Sequence, residues 1–123
     1  RGCYVATTMN FSPLHPLARP SILRGAPEAA GVYELRLAPG QPGYELGRAG
    51  IIYLGKAKNL RRRLHAHAIP NGRNRGLASH VRRARVLFRV RLEAGDLKRA
   101  EKELYRRFLD TYARPPECNG LSP

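Results

Sequence analysis

Acidic residues are scarce in this chain. Nine Asp or Glu stand against 23 Lys or Arg, for a formal net charge of +14. From Leu46 to Leu92 there is no acidic residue, while 13 Lys or Arg occur. A solvated surface usually mixes its signs. The imbalance therefore points to a polyanionic partner, with nucleic acid expected. Cysteine is scarce too. Cys3 and Cys118, the only two, lie near opposite ends. That excludes a disulfide framework and a zinc-type spacing, and sets a reducing, cytoplasmic compartment as the expectation. No apolar run approaches membrane-spanning length, and no signal peptide is visible. No basic helix has the bulky aromatic face of an interfacial anchor, so no membrane partner is expected. Internal repeats and low-complexity segments are absent.

What is present is enough for one domain. At 123 residues and 42% apolar content, the chain can bury a core without staples. It opens on Arg1 rather than Met, so the expectation is an excised domain. An additional domain or partner protein would then supply specificity.

Four prolines, Pro13, Pro16, Pro20 and Pro27, punctuate residues 1–27. They exclude a long helix, and an extended segment packed across the domain is expected there. His15, among those prolines, reads as a loop residue. The domain proper is expected over 28–123. Gly31 to Leu37 reads as a strand with Tyr33, Leu35 and Leu37 on one face. A Gly/Pro-rich loop follows. Residues 50–54 read as a second strand, ending on Tyr53 and Leu54 before a tight turn at Gly55. Together they suggest an antiparallel hairpin with a long connection.

A basic helix is expected from about Lys58 to Ala68, stopped by Pro70. Lys56, Arg63 and His67 lie together on one edge of its apolar stripe, while Arg62 and His65 face water. The loop 70–76 is basic, with Arg73 and Arg75. A short helix is expected from Leu77 to Ala84, with His80 as a surface histidine. From Arg85 to Leu92 the residues alternate, giving a third strand. Val86, Phe88, Val90 and Leu92 point inward, and Arg89 lies on a basic outer face. Asp96 caps a last helix running to about Tyr112. Leu97, Leu104 and Phe108 mark its buried side, and Glu101 projects into the middle of it. A carboxylate there is costly unless paired or bound to a metal. In so basic a chain a salt bridge to an arginine is the plain alternative.

The set GVY, YLGKAKNLRRRL, EKELYRRF and PECN resembles the GIY-YIG nuclease superfamily over roughly residues 28–119. The run YLGKAKNLRRRL is similar to the nuclease domains of that superfamily that serve bacterial nucleotide-excision repair. Those proteins carry Gly-Ile-Tyr and Tyr-Ile-Gly on two strands, an arginine ten residues after the second tyrosine, and a His or Tyr four later. Here these are Tyr33, Tyr53, Arg63 and His67. A metal-binding Glu opens a helical pattern matched by Glu101, Leu104, Tyr105 and Phe108, and a Pro-x-x-Asn is matched by Pro116 and Asn119. Val32 and Leu54 replace the family's isoleucines. The tyrosines stand 20 residues apart, which implies an expanded hairpin loop. The insertion LDTYAR also stretches the interval from Glu101 to Asn119.

The resemblance implies an α+β fold, a three-stranded antiparallel sheet flanked by helices. It also implies a bacterial endonuclease of DNA repair or restriction, using Mg²⁺ or Mn²⁺. Glu101 would hold the metal and Arg63 would clamp the scissile phosphate. Tyr33, with Tyr53 as its partner or the two reversed, would activate water; Lys56 or Arg63 would have to lower its pKa. His67 would orient Tyr33 or relay a proton, and Asn119 would orient a neighbouring group or the DNA backbone. Lys56, Arg62, Arg73, Arg75 and Arg89 would contact DNA phosphates. Two rival classes are a catalytically inactive DNA- or RNA-binding module on the same fold, and a small ribosomal or RNA-packaging protein. The latter explains the charge but not Glu101.

Overall fold

The computed structural model describes residues 11–40, 50–69, 74–83 and 85–119. Cys3, most of the hairpin loop, Pro70, Arg73 and Ala84 lie outside the described residues. The elements in chain order are β1 (His15–Pro16), α1 (Arg19–Gly25), β2 (Gly31–Leu37), β3 (Ile51–Ala57), α2 (Leu60–His67), α3 (Arg75–Arg83), β4 (Val86–Leu92) and α4 (Leu97–Tyr112). They build a small α+β domain around an antiparallel sheet in the order β1-β4-β2-β3.

Two expectations are corrected here. The sheet has four strands, because His15 and Pro16 pair with Phe88 and Leu87 of β4. A proline is tolerated there because β1 is an edge strand with no outer neighbour to bond. The segment before residue 28 is also not extended throughout. Pro20 stands in the first turn of α1, where a helix has no use for its missing N–H. The same proline that argues against a helix in mid-run favours its start.

Strand β2 lies between β4 and β3 and is covered on both faces, so nearly every residue in it is buried. Its odd positions Tyr33, Leu35 and Leu37 share a core with Ile22, Leu60, Leu64, Leu77, Phe88 and Val90, under α1, α2 and α3. Its Val32 joins Leu54, Phe11, Ala100, Leu104 and Phe108 beneath α4. Leu92 departs from the inward pattern of β4. It is exposed at the last strand position, opposite Gly31, which offers it no side chain.

Local caps fix the helices that matter. Asn59 accepts a hydrogen bond from the Arg62 N–H at 3.1 Å and starts α2. Asp96 accepts from the Arg99 N–H at 3.0 Å and starts α4. Both use a short polar side chain to satisfy a donor the helix cannot.

Gly55 is not a turn. It sits within β3, opposite Tyr33, and a Cβ there would meet the Tyr33 hydroxyl at 2.5 Å. Gly31 has a similar constraint, since its Cβ would run into the Arg91 carbonyl oxygen. The glycine flanking each tyrosine motif is therefore required by close packing.

Candidate active site beside the outer strand

Strand β3 is the last strand of the sheet, with α2 over one face and α4 over the other. Between them lies a cleft of 840 Å³ whose lining includes Tyr53, Lys56, Arg62, Arg63 and Glu101. Lys58 and Lys98 line it as well, and the sequence pattern singles out neither. Among the described residues that line it, five cations surround one carboxylate.

The tyrosine positions differ from expectation. Leu35 faces Tyr53 across the ladder and Arg36 faces Ile51, so Ile52 bulges. This lets Ile52 and Tyr53, neighbours in the chain, both pack on the same core. Tyr53 remains half-buried and opens into the cleft. Tyr33 lies beneath it with no exposed surface. Their rings stack with centroids 6.0 Å apart. The His67 ring lies 5.5 Å from Tyr33 and 5.2 Å from Tyr53. Tyr33 Oη and His67 Nε2 share a 2.6 Å hydrogen bond.

The electrostatics make this a neutral pair. Burial first, and then neighbouring Tyr53, push the Tyr33 hydroxyl above its usual range; Arg63 pulls the other way and loses. Burial first, and then the Arg63 charge, lower His67 to about 4. Tyr33 is thus unsuited to act as a base near neutral pH. Of the two tyrosines, Tyr53 is the one that lines the cleft, and nothing in a sequence says which of them the packing will close over.

A pH test follows from His67. The unfolded chain binds its proton below about pH 6.5 while the folded chain resists until about pH 4. The stability is therefore present above pH 6.5, falls as pH drops, and levels off below about pH 4. The expected loss from this residue is about 3 kcal/mol. Urea unfolding across that window should show a shallower slope for His67→Gln than for wild type. Equal slopes would remove the assignment.

Glu101 is buried, and its Oε1 accepts a hydrogen bond from Lys56 Nζ at 3.2 Å. The partner is another residue of the cleft rather than a remote arginine. Lys56 keeps 41% of its side chain exposed, so the pair is loosely held and contributes little to stability. Glu103 is exposed, as the helix period predicts.

Three other expected site residues take definite places. The Asn119 side chain accepts from the Leu54 N–H and donates to the Leu54 C=O, both at 2.8 Å. Together with a bond from Cys118 N–H to Ile52 C=O, this makes the C-terminal segment a strap along β3. Through one N–H and the oxygen of its amide, Asn119 holds the strand beside Tyr53. Arg89 is not on a solvated basic face. It is buried, donating to both carboxylate oxygens of Glu34 at 2.8 and 3.1 Å. Glu34 also accepts from Arg36, and the Arg89 guanidinium lies 4.5 Å from the Phe11 ring. The alternation of β4 is legible in the sequence; its cross-strand partner is not. Arg75 is exposed at the start of α3, but it is not one of the cleft residues. His65, expected in water, has a shielded Nε2 without a partner among the described residues.

No family model, curated protein or solved structure matches this chain. Among the described residues, no helix is long and apolar enough to cross a membrane.

Proposed function

We propose that this chain is a divalent-metal-dependent endonuclease that hydrolyses DNA phosphodiester bonds in the cleft beside β3, as its resemblance to the GIY-YIG nucleases implies. The observation that carries this reading is the convergence of Tyr53, Arg63 and Glu101, from three elements, on one cation-rich cleft. A phosphodiester strand is the polyanion such a groove suits. On the same resemblance, the protein would work in the cytoplasm of a bacterium, in repair or restriction.

Glu101 fits a hard cation. It is a buried oxygen ligand in an open cleft, and Mg²⁺ or Mn²⁺ commonly takes one or two carboxylates and otherwise water and phosphate. Held there, the ion would offset negative charge on the phosphate and the leaving oxygen. The protein's own residues do the rest. Arg63 presents a planar fork of donors to the scissile phosphate. Tyr53, which lines the same cleft as Lys56 and Arg63, orients the attacking water. The neutral Tyr33–His67 pair packs against the Tyr53 ring and sets its position. Lys56, Lys58, Arg62 and Lys98 guide the backbone.

The test is nicking of supercoiled plasmid in Mg²⁺, with a chelator control. Tyr53→Phe should lower the rate by about 100-fold or more. Tyr33→Phe should mainly cost stability, about 1 kcal/mol for the lost hydrogen bond. Equal effects on rate would return Tyr33 to the reaction.

The second reading, a binding module without chemistry, draws on the Lys56 ammonium already seated on Glu101. It predicts DNA binding and no nicking in any divalent metal. Both readings share an expectation. With five cleft cations engaged, log K should fall with log salt at a slope of about −4.5. A flat dependence in a salt titration would contradict either one.

A further inference from the structure

Away from the cleft, one cluster of side chains has no part in that chemistry. His80 comes from α3; Glu117 and Cys118 come from the strap. One ligand atom from each, the His80 ring nitrogen, a Glu117 carboxylate oxygen and Cys118 Sγ, all lie within 4.8 Å of one another. His80 Nε2 and Glu117 Oε2 are already 3.1 Å apart. Cys118 is buried, and α3 packs against it. The Asn74 side chain donates to the Cys118 C=O at 2.7 Å, and a Cβ on Gly76 would lie 3.6 Å from Sγ.

An ion pair explains His80 and Glu117 alone. Cys118 belongs to the apolar core around Leu77, yet its Sγ stands within 4.8 Å of both partners. Sulfur, imidazole nitrogen and carboxylate oxygen together form a donor set that suits Zn²⁺ and not Mg²⁺. Tetrahedral zinc places its ligand atoms about 3.3–3.8 Å apart. His80 and Glu117 already stand near that spacing, so the contraction of about 1 Å is toward Cys118 Sγ, and rotations of the exposed Glu117 and partly exposed His80 side chains can close it.

We propose that His80, Glu117 and Cys118 bind one Zn²⁺, or a similar borderline transition metal, and so pin the strap to α3. The Cys118 thiol releases its proton to solvent as the thiolate–metal bond forms, and water completes the fourth position. The site is separate from Glu101 and does not rest on the nuclease reading. Its effect on the fold runs through the strap, whose Cys118 and Asn119 bond to Ile52 and Leu54 on either side of Tyr53. The chain spacing of the two cysteines gives no sign of it, because the ligands meet only when the strap lies against α3.

The experiment is a Co²⁺ titration of the full chain carrying Cys3→Ser, so that any thiolate signal reports Cys118. Expected are one equivalent bound, a near-ultraviolet thiolate-to-cobalt charge-transfer band, and visible bands of tetrahedral intensity. Zn²⁺ should abolish these bands and excess Mg²⁺ should not. Cys118→Ser should lose the charge-transfer band. His80→Ala should weaken binding by more than about 100-fold, beyond the cost of losing an outer partner of a metal site. Zn²⁺ should raise the urea midpoint of the Cys3→Ser protein and leave that of His80→Ala unchanged. No charge-transfer band at saturating Co²⁺, a band that survives Cys118→Ser, or undiminished affinity in a folded His80→Ala protein would each overturn the proposal. His80 keeps 19% of its side chain exposed and bonds to the exposed Glu117 rather than to the core, so this variant decides the matter even if Cys118→Ser fails to fold.

Discussion

Glu101→Gln should keep DNA binding and nick plasmid at least about 1,000-fold more slowly in Mg²⁺. The substitution keeps the shape and one carbonyl oxygen but removes the charge. No other carboxylate among the described residues lines the cleft to replace it. The fold should survive, because Lys56 is partly exposed and needs no partner to stay solvated. Binding should be slightly tighter, since the variant leaves the five cleft cations unopposed. Glu103→Gln, on the outer face of the same helix, is the control and should be silent. Equal nicking by Glu101→Gln and wild type would remove the metal assignment. Absence of nicking from both, with binding intact, would favour the module without chemistry.

Glu34→Ala should be the most damaging single change to stability, at about 3–5 kcal/mol in urea unfolding. Glu34 sits opposite Arg89 in the β2–β4 ladder, and both are buried. Its carboxylate is the shared acceptor for Arg89 and Arg36, whose side chains are only 10% and 16% exposed. Removing it leaves two guanidinium groups in a poorly solvated place with no counter-charge. Replacing the pair together, as Glu34→Leu with Arg89→Met, should recover much of the loss, because apolar side chains carry no desolvation cost. Arg91 and Glu93 make a looser contact at 4.0 Å, and Glu93→Ala should cost less than about 1 kcal/mol. Arg89→Ala should destabilise the fold and leave the salt slope of DNA binding unchanged. A loss below about 1 kcal/mol for Glu34→Ala would mean that water reaches the arginines.

These two glutamates differ in how far the sequence reveals them. Glu101 is legible because α4 carries its own signals. Asp96 caps it, and the helical period places Leu104 and Phe108 on the same side as the acid. Glu34 is not legible. The strand period puts it opposite Tyr33 and Leu35, where an exposed acid is the ordinary reading. Its burial follows from Arg89, 55 residues away, and from Phe11 closing over them. Pro20 illustrates the remaining ambiguity: one residue type either opens or breaks a helix, and only its position in α1 decides which.

By itself the sequence determined the strong basic charge, the strand period of β2 and β4, the start of α4, and an acid on that helix's apolar face. These depend on residues within a few positions of one another, where backbone geometry repeats with a known period. Tertiary structure decided which tyrosine meets the cleft, because α2 lays His67 over Tyr33 from 34 residues away. It also decided that Asn119 clamps Leu54, 65 residues back, and that His80 meets Cys118 at all. Side-chain chemistry at each of these places is set by which groups exclude water from it. That exclusion exists only after strands, helices and strap have packed together.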